Sequence, residues 1–432
     1  MNSGPRTTAR VPTLGPFGLI FLLVLVSFAA LVVVLPPQGR WVLGTFSLGS
    51  GVSATALMGA AAVLSARWRW VESAFGGLDR VYAVHKWLGV WALVFASVHL
   101  VFKAGDPAWE VASIVQLPGP ATRMVRQLSF VVVMVIVLLA LNRAIPYRVW
   151  RWWHKLSGPL FLVVVAHWLS FRSPVPLASP AGIWLALVSV MGVAGAAYKL
   201  LLYPLVSQHA EYRVETVSTT PTSAYLELVP VARTIPFVAG QFAFVSFKRE
   251  GLREPHPYTI ASAGGADGRI AFMVRASGDY TAQLVKEAEP GLLADVYAPF
   301  GRFERRPDGN PEVWIAGGVG ITPFIAWLED PAATGLERVT LFNFTTPGRE
   351  LPPAVDLPAL AARRGVQLVN VTTGPSTPTF REHFAGLVGQ AGADHLRVSA
   401  CGPKGLLAEV RELMRQTGVP ASSLRYEVFE FR

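Results

Sequence analysis

The first half of this chain is not built to fold in water. Six stretches run almost free of charge, near residues 17–35, 43–65, 81–102, 127–142, 150–170 and 181–206. Each approaches the roughly 20 residues an α-helix needs to cross a hydrocarbon core about 30 Å thick. In lipid every backbone amide must be satisfied within its own segment, which leaves helices as the natural solution. Only 15% of the 432 residues are charged, against about 25% in an ordinary chain. From residue 208 the sequence changes to charges, turns and alternating short strands, so the deficit belongs to the first half. The first run follows Arg6 and Arg10. It is too long for the apolar core of a signal peptide and reads as a retained span.

The net charge of +10 fits this arrangement. Arg6, Arg10, Arg67, Arg69, Arg80, Arg143, Arg148 and Arg151 flank the spans on one side. Arg40, Lys103, Arg123, Arg126 and Arg172 flank them on the other. The bias favours both termini in the cytosol, on the inner face of a cell membrane. The expected partner of these cations is therefore membrane lipid, and no nucleic acid. The chain has one cysteine, Cys401. That excludes an intramolecular disulfide and any cysteine-based zinc or iron–sulfur site.

Four of the eight histidines lie in the third and fifth spans: His85 and His99, then His154 and His167. Ionisable groups inside a membrane are costly and are functional candidates by default. Fourteen residues separate His85 from His99, about 21 Å along a helix and within about 40° of one face. The third and fifth spans run in the same direction. His85 therefore pairs with His154 near one surface, and His99 with His167 near the other. Each pair suits one iron, gripped from both faces of a porphyrin, with two haems stacked across the bilayer. The thirteen-residue spacing of His154 and His167 leaves them about 140° out of phase on an ideal helix. Ser157-Gly158-Pro159 lies between them, where a proline can break and rephase the helix. Phe161 could stand between the haems, although plain packing is the favoured reading.

In the second half, strands are expected at Tyr212–Val217, Ala224–Val229 and Gln241–Phe247, as a small antiparallel barrel. Buried strands at residues 313–316, 339–344, 366–371 and 397–400 alternate with helical segments, which predicts a parallel α/β domain. The glycines in Ala316-Gly317-Gly318-Val319-Gly320-Ile321-Thr322-Pro323 let a backbone approach a pyrophosphate at a helix start.

Paired histidines on spans three and five, followed by flavin-type and nucleotide-type segments, resemble the NADPH oxidase and ferric reductase superfamily. The fourteen/thirteen spacing is closer to the NADPH oxidase branch. The resemblance implies a six-helix transmembrane bundle over residues 1–208, an antiparallel β-barrel FAD domain over 209–309 and a parallel-sheet α/β NAD(P) domain over 310–432, the last two ferredoxin–NADP reductase-like. It implies FAD, two haems b and NAD(P)H as donor, NADPH favoured and NADH open, because only Arg349 offers a cation for the ribose phosphate. His256-Pro257-Tyr258-Thr259 resembles the flavin signature of that fold, with Tyr258 against the isoalloxazine and Thr259 on flavin N5. His256, Arg275, Gly278 and Thr281 are implied at the pyrophosphate. Gly317, Gly318, Val319, Gly320, Thr322 and Pro323 match its nucleotide loop. Cys401-Gly402-Pro403 matches the motif that sets the Cys beside the nicotinamide. Phe431, or Phe429, matches the terminal aromatic that covers the flavin. Electrons would pass from cytosolic NAD(P)H across the membrane to an acceptor. Three readings compete for it: O2 giving superoxide, a ferric chelate, or a periplasmic protein partner. Arg172 is a candidate for attracting an anionic acceptor, with interfacial anchoring the favoured reading.

Overall fold

A computed structural model describes residues 15–142 and 144–427. The chain divides into two compact units, Met1–Ser207 and Gln208–Arg432.

The first unit is helical: α1 (Pro16–Val34), α2 (Leu43–Ser65), α3 (Arg69–Phe75), α4 (Leu78–Val101), α5 (Gly119–Leu141), α6 (Tyr147–His154), α7 (Ser157–Ser170), α8 (Pro180–Ala197), a π-helical turn at Tyr198–Leu202 and α9 (Tyr203–Val206). Five of these, with α8 extended through its π turn to Leu202, are long and apolar enough to cross a membrane. The expected fifth span is instead two helices, α6 and α7. Pro159 has no N–H for the carbonyl of Lys155. The chain responds with a tightened turn, Lys155 N–H donating to Trp152 O at 3.2 Å and Leu156 N–H to Trp153 O at 3.0 Å. Helix α5 begins at Gly119, eight residues before the apolar run expected at 127. Hydropathy marks where lipid begins, whereas Pro120 in the first turn marks where the helix begins.

Helix α2 is the centre of this unit and packs against α1, α4 and α8. Its Gly44, Gly49, Gly51 and Gly59, with Ser47, Ser50 and Ser53, let neighbouring backbones close in. The buried Ser50 and Ser53 hydroxyls donate to Phe46 O at 2.8 Å and Gly49 O at 2.7 Å within their own helix. Phe161 is 2% exposed. It fills a notch between Gly59 on α2 and Gly192 on α8, where added Cβ atoms would press on its ring. Its role in the fold is helix packing, the favoured reading of the sequence.

In the second unit, six antiparallel strands are ordered β4-β3-β6-β1-β2-β5. They are β1 (His209–Thr220), β2 (Ser223–Pro230), β3 (Phe242–Phe247), β4 (His256–Thr259), β5 (Ile270–Arg275) and β6 (Leu293–Phe300), with α10 (Asp279–Glu287) between the last two. An antiparallel bridge between Ile260 and Phe272 joins the two edges and nearly closes the barrel. Five parallel strands follow in the order β11-β10-β7-β8-β9. They are β7 (Glu312–Gly317), β8 (Val339–Phe344), β9 (Gln367–Val371), β10 (Arg397–Cys401) and β11 (Leu424–Glu427), connected through α11 (Thr322–Glu329), α12 (Leu357–Arg363), α13 (Pro378–Ala391) and α14 (Lys404–Gln416). The strand order reverses between β7 and β10. A crevice at the carboxyl ends of strands forms where such a reversal occurs.

Candidate functional site

The structure brings the four membrane histidines together in two pairs. The ring centres of His85 and His154 are 5.9 Å apart, and those of His99 and His167 are 6.4 Å apart, with interplanar angles of 79° in both. Two imidazoles sharing one metal at about 2 Å per bond bring their centres to about 6 Å. On α4, Nδ1 of His85 lies 2.9 Å from Ala61 O and Nδ1 of His99 lies 2.9 Å from Ser47 O. A carbonyl only accepts, so both Nδ1 atoms carry the proton and both Nε2 atoms keep a lone pair for a ligand. Nδ1 of His154 and of His167 are buried without a hydrogen-bond partner among the described residues. Trp150 stacks on His154 at 5.1 Å. Among the described residues no three His, Cys, Asp or Glu side chains gather as a metal site. A pair of imidazoles is a complete protein contribution only when a macrocycle supplies the other ligands, so the donor set fits haem.

Tyr258 and Thr259 end strand β4, and Pro257 precedes them on the same strand. Tyr258 is 9% exposed and Thr259 5%, yet the Tyr258 hydroxyl, Thr259 Oγ1 and Arg275 Nε have no hydrogen-bond partner among the described residues. Burial pushes the Tyr258 hydroxyl well above its ordinary pKa, so it is a donor at all working pH. Orphaned buried polar atoms on one patch call for a polar ligand. The His256 ring stacks on Tyr280 at 3.8 Å, and its Nε2 is 3.6 Å from Glu254. Ahead of α10, the Thr281 hydroxyl accepts the N–H groups of Ser277 at 2.9 Å and Gly278 at 3.1 Å. The first-turn amides that follow have no partner within the helix. The chemistry of this patch fits a flavin dinucleotide: a donor–acceptor edge, then a cation beside a helix start.

The nucleotide-type motifs converge on the crevice. Gly317 ends β7, Gly318, Val319 and Gly320 form a short 3₁₀ turn, and Thr322 and Pro323 open α11. The Thr322 hydroxyl donates to Val319 O at 2.7 Å. Gly320 packs so tightly on the Cys401 carbonyl that no side chain fits, and Gly317 faces Gly402 and Pro403. Gly318 has φ +59° and lies against the Arg275 guanidinium. Burial, and then Arg349, lower the pKa of Arg275. Arg349 therefore stands near the flavin-side cation. Cys401 is 1% exposed. Burial, and then the Glu427 carboxylate, push its thiol pKa well up. Phe429 and Phe431 lie outside the described residues.

Several participants were not visible in the sequence. The carbonyls of Ala61 and Ser47 orient two histidines, and no side chain announces a backbone acceptor. Arg172 donates to Val111 O at 3.4 Å, which ties it to a loop.

Comparison with known proteins adds two family matches. Residues 50–165 match the model of a ferric reductase like transmembrane component, and residues 211–298 that of an FAD-binding domain. The flavohemoprotein of Burkholderia sp. (strain TH2) is 26% identical over 217 residues, covering 48% of this chain and 55% of its own length. Reductase component 2 of terephthalate 1,2-dioxygenase from Comamonas sp is 27% identical over 216 residues, covering 46% of this chain and 62% of its own. The chain thus spans a little over half the length of these curated relatives. Among solved structures, the flavohem-like FAD/NAD binding domain of nitric oxide dioxygenase from Vibrio cholerae O1 biovar El Tor has a TM-score of 0.43 at 20% identity, covering 51% of this chain and 98% of that one. Phthalate dioxygenase reductase has a TM-score of 0.43 at 18% identity, covering 51% and 68%.

Proposed function

The chain carries the architecture of the NADPH oxidase and ferric reductase superfamily, and on that premise we propose that it moves electrons from cytosolic NAD(P)H, through FAD and two b-type haems, to an acceptor across the membrane, with O2 giving superoxide as the acceptor. The observation that carries the reading is the two histidine pairs, 5.9 and 6.4 Å between ring centres. Helices α6 and α7 together supply the sixth crossing, which leaves both termini and the second unit on the cytosolic side.

When bound, FAD exchanges a two-electron donor for single-electron steps and the haems relay single electrons. The chain's residues hold and orient these groups. His85 and His154 would hold one haem and His99 and His167 the other, with the Ala61 and Ser47 carbonyls fixing the tautomer of the two histidines on α4. Thr259 Oγ1, buried without a partner among the described residues, would offer the flavin a hydrogen bond, and Tyr258 would pack against its ring. His256, Arg275 and the start of α10 take the pyrophosphate. The glycine turn at Gly317–Gly320 and Gly402-Pro403 hold the nucleotide, with Cys401 beside the nicotinamide.

The test is a pyridine haemochrome assay on purified protein with aerobic NADPH and NADH turnover. Two haems b per chain are expected in the parent and one in His99→Leu or His167→Leu. Unchanged haem content in these variants refutes the ligand assignment. Ferric reduction is the second reading, favoured by the match of residues 50–165 to a ferric reductase like component. Superoxide release supports the first reading and iron(II) capture the second. Turnover that needs an added protein points to a periplasmic electron acceptor.

A further inference from the structure

The buried hydroxyls of α2 do not all serve their own helix. Ser50 and Ser53 donate to the carbonyls four residues earlier, at 2.8 and 2.7 Å, and Thr55 does the same to Gly51 O at 3.1 Å. That is the ordinary use of a hydroxyl inside a helix, above all in lipid. Ser47, wholly buried, departs from it. Its hydroxyl crosses to α4, where it donates to His99 O at 3.2 Å and to Phe102 O. Helix α4 ends at Val101, and the last carbonyls of a helix have no amide of their own helix to accept from. One hydroxyl proton, shared between two such carbonyls, ties the end of α4 to α2.

Gly51 stands one turn further along α2. A Cβ added there would lie 2.9 Å from His99 Nδ1 and 3.1 Å from Cγ and Cε1 of the same ring. The His99 imidazole therefore rests on bare backbone, with its Nδ1 2.9 Å from Ser47 O and 3.4 Å from Ser47 Oγ. Residues four apart share a helix face, so Ser47 and Gly51 make one surface. The carbonyl takes the Nδ1 proton, the hydroxyl holds the backbone of α4, and the missing side chain admits the ring. His85 meets the Ala61 carbonyl at the same distance, but residue 61 carries no hydroxyl. Nδ1 of His167 has no hydrogen-bond partner among the described residues. Hydrogen bonding thus fixes the 79° between the His99 and His167 rings from the His99 side. We infer that Ser47 and Gly51 are positioning residues for the haem held by His99 and His167, setting the plane and donor strength of His99 and through them that haem's potential. This rests on the two-haem reading above. A hydrogen bond from Nδ1 makes an imidazole a more basic ligand, and a more basic ligand favours the oxidised iron. Near-perpendicular imidazole planes leave two iron orbitals close in energy, which gives the ferric low-spin EPR spectrum one dominant large-g feature. Planes turned toward parallel give a rhombic spectrum.

The experiment is EPR spectroscopy with a spectroelectrochemical titration of the full-length protein. Loss of one signal and one midpoint in His99→Leu identifies those of the His99–His167 haem. Gly51→Ala should turn that large-g signal rhombic, because the new Cβ pushes Nδ1 off the Ser47 carbonyl. It should also shift that haem's one-electron equilibrium toward the reduced form by threefold or more, tenfold being about 59 mV. Ser47→Ala keeps the carbonyl but frees the end of α4, and should move both readouts in the same sense. The other haem should keep its signal and midpoint in both variants. Ser50→Ala removes a hydroxyl bond that lies within α2 and should match the parent. Unmoved signals with shifts under threefold in both variants, equal shifts in the two haems, or a Ser50→Ala protein that behaves like Ser47→Ala overturn the inference. Should Gly51→Ala fail to fold or lose the haem, Ser47→Ala alone decides. A parent without two low-spin haems overturns the two-haem reading together with this one, whereas two such haems unmoved by the variants overturn this one alone.

Discussion

Thr259 and Cys401 show how burial divides the work at the redox crevice. Thr259 is buried with its hydroxyl unpartnered among the described residues, an arrangement tolerable only when a ligand completes it. Thr259→Ala should therefore keep FAD but slow its reduction by NAD(P)H about tenfold, the worth of one lost hydrogen bond of roughly 1–1.5 kcal/mol. Stopped-flow bleaching of the flavin band measures this, and an unchanged rate removes Thr259 from the site. Cys401 is the opposite case. Its thiol is fully buried, and burial followed by Glu427 raises its pKa. Alkylation requires the thiolate. Iodoacetamide at pH 8 should leave Cys401 unmodified in the folded protein and label it in denaturant, as read by mass spectrometry. The sign of the linked stability follows. The folded state holds the proton more tightly than the unfolded thiol, whose pKa is about 8.5. Its contribution is complete below that value and is lost as pH rises through and beyond it. Cys401→Ala should flatten the alkaline decline in the unfolding midpoint.

The break between α6 and α7 decides whether two histidines thirteen residues apart can serve two irons. An unbroken helix would aim them about 140° apart. The tightened turn at residues 152–156 instead lets both face α4, where His85 and His99 wait at 5.9 and 6.4 Å. Phase is thus a property of the junction, and adding to the junction should destroy it. One alanine inserted between Lys155 and Leu156 rotates α6 by about 100° relative to α7. The haem content by pyridine haemochrome should fall from two per chain to one, with the His99–His167 site retained. Insertion of alanine after Asn142, ahead of both helices, is the control and should keep two. Equal haem in both insertions would show that the junction does not set the phase.

The polarity divide near residue 208 was legible because lipid and water select opposite compositions, and the five long helices follow it closely. The strands were legible as alternating or apolar runs, and β1 outran its expected limits because pairing with β2 carries it on to Thr220 and pairing with β6 carries it back to His209. The closing contact of Ile260 with Phe272 was not legible, since a bridge between strand edges leaves no pattern in either segment. Neither was the place of Arg349. Its number put it with the nucleotide lobe, while the loop carries it toward Arg275. The histidine spacing, by contrast, carried real geometric content, because α4 is regular and fourteen residues nearly complete four turns. If these pairs carry electrons through the bilayer, they carry charge without a companion ion. Each elementary charge moved against 100 mV costs about 2.3 kcal/mol. In tight proteoliposomes with NAD(P)H outside, turnover should slow as the potential builds and recover several-fold when valinomycin and potassium collapse it. Superoxide or iron(II) should appear inside, opposite the donor. Turnover indifferent to the ionophore, with product on the donor's side, would show that electrons leave from the flavin and never enter the membrane half.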